Sequence, residues 1–194
     1  MTTTQLDNML SAIDDVNSQD PNQVEKDGCN QAKEFIYGHY MSSCLNQYWP
    51  KANELLQIAV RAQHIKRWHI KRTEFAPGKA GYLSWRKTLG KFHAQLTKQL
   101  MLEQGYDEAD AESTAEILRK EQLKSNENSQ TLEDVACLVF LQYYFDDFSA
   151  KHTEEKIIRI VQLTWRKMSD RAHDIALSLT LPKHLADLVS KALS

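Results

Sequence analysis

Apolar residues recur every three or four positions along most of the chain, the period of an amphipathic helix. Leu6, Met9, Leu10, Ile13 and Val16 predict a first helix that stops over residues 17–22, where Pro21 sits. A second is expected over about 31–47, carrying Phe35, Ile36, Tyr40 and Leu45 and ending before Pro50. A third is expected over about 51–68, with Leu55, Leu56, Ala59, Val60 and Ala62 inward. The period breaks over residues 71–81, a loop marked by Pro77 and Gly78. It resumes over about 82–104, with Gly105 as the helix stop. A fifth helix is expected over about 107–123, whose acids Asp107, Glu108, Asp110 and Glu112 suit the positive end of a helix dipole. Residues 135–141 are an unbroken apolar run, which predicts a central helix near 132–148 buried on all sides. Helices over about 154–168 and 169–181, and a short one after Pro182, complete the chain. No repeat and no convincing strand alternation interrupt this reading. It predicts an all-α fold, a helical bundle of about 8–9 helices forming a single domain over residues 1–194.

Composition adds little to that picture until charge is considered. A chain of 194 residues with 42% hydrophobic content can bury a sizeable core. No run of about 18 apolar residues exists, so no membrane partner is expected. Residues 1–7 lack the basic and then apolar regions of a secretory signal, which leaves the cytoplasm as the expected location. Three cysteines, Cys29, Cys44 and Cys137, with no C-x-x-C argue against a disulfide framework or a cysteine zinc site. The net charge of -2 hides a block: residues 61–98 carry ten Lys or Arg against one acid, Glu74, a charge of +9, with -5 before it and -6 after it. A one-sign block attracts anions.

Four places put an acid–base or metal-capable side chain on an otherwise apolar stretch: Glu34, His64, His93, and Asp134 with its neighbour Glu133. A buried carboxylate needs a cation, metal or donor facing it. Imidazoles and carboxylates converging from separate helices are one way of building a metal centre. The structural alternatives are hydrogen-bonded core histidines for His64 and His93, helix-capping acids for Glu133 and Asp134, and an ion pair for Glu34. No phosphate-cradling glycine loop, H-E-x-x-H or nucleophile elbow occurs. Around the loop, Arg67, Trp68, Arg72, Phe75, Lys79, Tyr82, Trp85 and Arg86 mix guanidinium groups with rings. That mixture suits a nucleotide or single-stranded nucleic acid, with aromatic core anchors as the alternative.

The segments 62–68 (AQHIKRW), 81–86 (GYLSWR), 132–141 (LEDVACLVFL) and 165–169 (WRKMS) resemble an uncharacterised family, domain of unknown function 4202, over nearly the whole chain. More remotely, the chain resembles the HD superfamily of metal-dependent phosphohydrolases. Gln63-His64 stands where that superfamily has a His-Asp pair, and Asp134 stands where it has a late aspartate. His93 and Lys120 fall where some members carry further histidines, and Glu34 is nearest to the first ligand. This likeness implies an HD-like fold with a divalent metal ion (Mn, Fe, Zn, Ni or Mg) held by Glu34, His64, His93 and Asp134. The metal would activate a water, with Glu133 and Lys120 as catalytic groups. Arg67, Arg72, Lys79, Tyr82, Trp85, Arg86 and Lys167 would bind a small anionic, phosphorylated substrate or nucleotide. Two further readings stay open: a non-catalytic binder of a nucleotide or RNA with a degenerate site, and a metal oxygenase of the HD type.

Overall fold

A computed structural model describes residues 3–26, 28–120, 123 and 125–194. The chain is all-α, as the periodicity predicts, with ten α-helices among the described residues. It groups into two compact units, Met1–Ser129 and Gln130–Ser194.

The first unit holds α1 (Gln5–Asn17), α2 (Lys33–Tyr48), α3 (Glu54–Ala62), α4 (Gly78–Glu103) and α5 (Glu108–Arg119). α3 is its centre and packs against α1, α2, α4 and α5. Leu56, Ile58, Ala59, Val60 and Ala62 are all buried, so this nine-residue helix has almost no wet face. Asn53 caps it by accepting from the Leu56 amide at 2.9 Å. Replacing Asn53 with alanine is expected to cost about 1 kcal/mol, read as a lower urea midpoint of the helical signal. Where α2 meets α3, a Cβ on Gly38 would lie 3.1 Å from Arg61 Cδ and 3.2 Å from its carbonyl oxygen, so a larger residue would need the helices to part by a few tenths of an ångström. Arg61, although charged, is buried; Asp14 accepts from it with both carboxylate oxygens at 3.0 Å and Ser42 Oγ at 2.9 Å.

The second unit takes up α6 (Glu127–Val139), whose first residues lie in the first unit, and then α7 (Phe145–Ser149), α8 (Glu154–Trp165), α9 (Asp170–Ser178) and α10 (Lys183–Leu193). α7, α8 and α10 pack on one another around Phe145, Ile157, Val161 and Leu185.

Several expected boundaries move. β1 (Gln23–Lys26) and β2 (Cys29–Ala32) form an antiparallel hairpin that the pattern does not announce, because both strands are mostly polar and largely exposed. The third helix ends at Ala62 rather than Trp68. Ile65 keeps the apolar rhythm going and is fully buried, but it does so in a turn. The expected loop is shorter, since a 3-10 turn occupies Arg72–Glu74 and α4 already starts at Gly78. Gly105 closes α4 at φ +84, as its position predicts. The fifth helix stops at Arg119, and residues 121 and 122 of its expected last turn lie outside the described residues. The expected helix over 132–148 is buried from Leu132 to Val139 except at the half-buried Ala136, then loosens into a π turn over Phe140–Tyr144 before α7.

Candidate functional site

Two local devices build the site in the first unit. α2 starts without a side-chain cap of its own. The buried Asp20 supplies one from a distance: its Oδ2 accepts from the Glu34 amide at 3.1 Å, while Oδ1 accepts from the Asn22 amide at 2.9 Å. This fixes the first turn of α2 and with it Glu34. Past α3, Asn17 Oδ1 accepts from the Lys66 amide at 3.0 Å and holds Lys66 in the left-handed region, φ 50. The chain therefore reverses, and Arg67 comes back onto His64.

The result is a chain of three side chains. His64 Nδ1 lies 3.1 Å from Glu34 Oε2, and Arg67 Nη1 lies 3.0 Å from His64 Nε2. Tyr37 stacks on the imidazole with ring centres 3.9 Å apart and planes 12° apart. A guanidinium can only donate. Its contact therefore makes Nε2 an acceptor, which places the ring proton on Nδ1, donated to Glu34. Burial, followed by the charges of Arg67, Arg86, Lys120 and Lys33, holds His64 well below the ordinary histidine value, so the ring is neutral. The Glu34–His64 contact is thus a hydrogen bond and not an ion pair. Burial also pushes the Glu34 carboxyl up to about 7, against the pull of Arg67 and Lys33. Glu34 is 6% exposed, while the His64 side chain keeps 22% of its surface open.

Aromatic and basic side chains flank this chain. The Arg67 guanidinium sits 4.8 Å over the Trp85 ring, and Trp85 is itself pinned by donating to the Ile70 carbonyl at 3.0 Å. Tyr82 packs 5.9 Å from Trp85, and its hydroxyl lies 3.5 Å from Arg86 Nη1. His93 is 3% exposed, its ring centre 6.2 Å from that of His64, and its Nε2 has no protein partner among the described residues. Burial, then His64 and Arg67, keep it well below the ordinary histidine value, against a hydrogen bond to the Gln63 backbone.

Of the residues singled out from the sequence, Glu34, His64, Arg67, Tyr82, Trp85, Arg86, His93 and Lys120 are brought into one neighbourhood. Arg72 is not free for a ligand in this arrangement: it donates to the Phe75 carbonyl at 2.9 Å and to the Gly78 carbonyl at 3.3 Å, and so ties its own loop. Lys79 is exposed on the first turn of α4. Asp134, Glu133 and Lys167 belong to the second unit. Asp134, 2% exposed, accepts from the Ser169 amide at 2.8 Å, from Ser169 Oγ at 2.6 Å and from Gln130 Nε2 at 2.9 Å. Ser169 is the N-cap of α9, so Asp134 anchors a helix start. Glu133 pairs with Lys167 at 3.4 Å. Tyr37, Asp20 and Asn17, which position the site, carry no signal in the one-dimensional pattern.

The side chains present do not fit a divalent metal as they stand. Both His64 nitrogens are engaged, and the charges around them are positive, which disfavours a cation. Among the described residues no three His, Cys, Asp or Glu side chains come together to hold one.

Fold and site define an all-α protein with a half-buried Glu–His–Arg chain beside a basic, aromatic flank. The chain belongs to the family described as Domain of unknown function (DUF4202), whose model matches residues 7–189. No curated protein and no solved structure matches it.

Proposed function

We propose that the first unit binds a small phosphate-bearing molecule at Arg67, with Arg86 as second cation and Tyr82 on the rim. The observation that carries this reading is the setting of Arg67. One of its five N–H groups reaches His64, its face rests on Trp85, and the like charge of Arg86 acts on it. A half-buried guanidinium on which a second cation acts gains from an anion brought to its open edge. A planar guanidinium pre-set by stacking matches a phosphate edge with two parallel hydrogen bonds. Isothermal titration at fixed ionic strength with nucleoside monophosphates and sugar phosphates tests it. At least one should bind saturably, and Arg67→Gln should weaken it about tenfold or more, the loss of one charged hydrogen bond. If none binds, or the variant binds as tightly as the parent, the reading fails.

A second reading is that the same ligand is hydrolysed. The carboxyl of Glu34 near neutrality favours it, since such a group both takes and gives a proton at physiological pH. Phosphate release abolished by Glu34→Gln, with ligand affinity kept, separates hydrolysis from binding alone. No metal enters either reading.

A further inference from the structure

α4 is longer than the helix that covers it. Its 26 residues span about 39 Å, whereas α5 has 12 residues. The two run antiparallel. Lys98 of α4 reaches Glu108 and Glu112 in the first turns of α5 at 2.5 and 2.6 Å. Near the other end of α5, the Leu118 carbonyl oxygen would lie 4.0 Å from a Cβ on Gly90. α5 therefore accompanies α4 from Gly90 onward, and residues 78–89 run past its end.

The seam along α4 does not stop where α5 does. Gly90, Ala94, Thr97 and Met101 follow a four–three–four spacing, and the last three are 1%, 0% and 0% exposed. Carried back toward the N-terminus, the same heptad spacing gives Lys87, Leu83 and Ala80, all exposed, with Leu83 at 55%. One stripe is thus buried in one half of the helix and bare in the other. Lys79 borders the bare half, Lys87 sits on it and Lys91 lies just past its end, and α4 carries no acid before Glu103. None of these three lysines forms an ion pair among the described residues.

We propose that the bare half-seam of α4 docks an acidic amphipathic helix from another protein, continuing the line of α5. α5 itself is the template: Ala111, Ala115 and Leu118 are buried, while its acids Glu108 and Glu112 clasp Lys98. A helix laid in this way places apolar side chains on Leu83 and Ala80 and its acids on Lys79, Lys87 and Lys91. A leucine at the centre of the patch favours a protein helix over a nucleic acid, which would call for a stacking ring there. Three turns make a small contact, so the complex is transient and salt-sensitive.

The probe is a fluorescein-labelled peptide with the sequence of residues 108–119, titrated with the full chain at low salt and followed by anisotropy. Saturable binding is expected, weakened at least tenfold by Leu83→Asp and by the pair Lys87→Glu and Lys91→Glu. A peptide whose acids are changed to lysine should bind the charge-reversed pair and not the parent. All three sites are exposed, and circular dichroism of each variant checks that it stays folded. The proposal is overturned if the peptide does not bind, if Leu83→Asp leaves binding unchanged, or if the reversed peptide fails to regain it. Tighter binding of a single-stranded oligonucleotide, or a dimer by sedimentation that Leu83→Asp dissolves, overturns the assigned partner.

Discussion

Alanine in place of Asp134 is expected to lower stability by about 4 kcal/mol and the melting temperature by roughly 10 °C or more. Three donors converge on this carboxylate: the Ser169 amide, the Ser169 hydroxyl and Gln130 Nε2. At 2% exposure, water does not replace the lost acceptor without rearrangement. The damage reaches further than one residue, because Ser169 Oγ also accepts from the Ala172 amide and starts α9. Asparagine keeps one acceptor oxygen and should lose about half as much. Thermal melts of both variants check this; a melting temperature unchanged by Asp134→Ala would show that the helix start does not depend on the carboxylate. The result bears on function, since an inactive Asp134→Ala protein would report a weakened second unit before it reported a missing ligand.

The sequence pattern carries most of the helices because helical burial is periodic and local. It loses the elements whose cause lies elsewhere in the chain. The hairpin is held by its own backbone ladder, so its side chains need not alternate. The reversal after α3 is held by Asn17, 49 positions away, which captures the Lys66 amide. Ile65 meanwhile prolongs the apolar rhythm through a turn, and the helical reading runs on to Trp68.

The basic block shows the same division. Its charge is visible in the sequence, yet its members do different work. Arg61 is locked to Asp14 inside the first unit, Lys98 holds α5, and Arg72 ties a loop. Arg67 and Arg86 alone are gathered at His64 by elements that hydrophobic spacing positions. Glu34, His64 and His93 were legible as polar residues in apolar surroundings. That their neighbours are mainly cations was not, because it depends on a chain reversal at Lys66 that no spacing records.

Glu34→Gln is expected to stabilise the protein by about 3 kcal/mol at pH 7.5 and above, and by almost nothing at pH 4. Burial raises this carboxyl from 4.5 to about 7. Between those values the folded chain keeps a proton that the unfolded chain has released. The stability associated with the protonated form is therefore complete below about pH 4.5, declines as pH rises toward 7, and is gone above it. Glutamine removes the titration while its amide oxygen still accepts from His64 Nδ1, so the local geometry persists. The difference between variant and parent, taken from urea unfolding at each pH, cancels the other titrating groups that the substitution does not touch. It should climb steadily through the interval from pH 4.5 to 7 and then level off. A flat difference from pH 4 to 8 would mean that the charges of Arg67 and Lys33 offset the burial, leaving Glu34 to titrate as it does in the unfolded chain. In the expected case, the folded protein bears a standing cost to keep an ionisable carboxyl under a neutral imidazole.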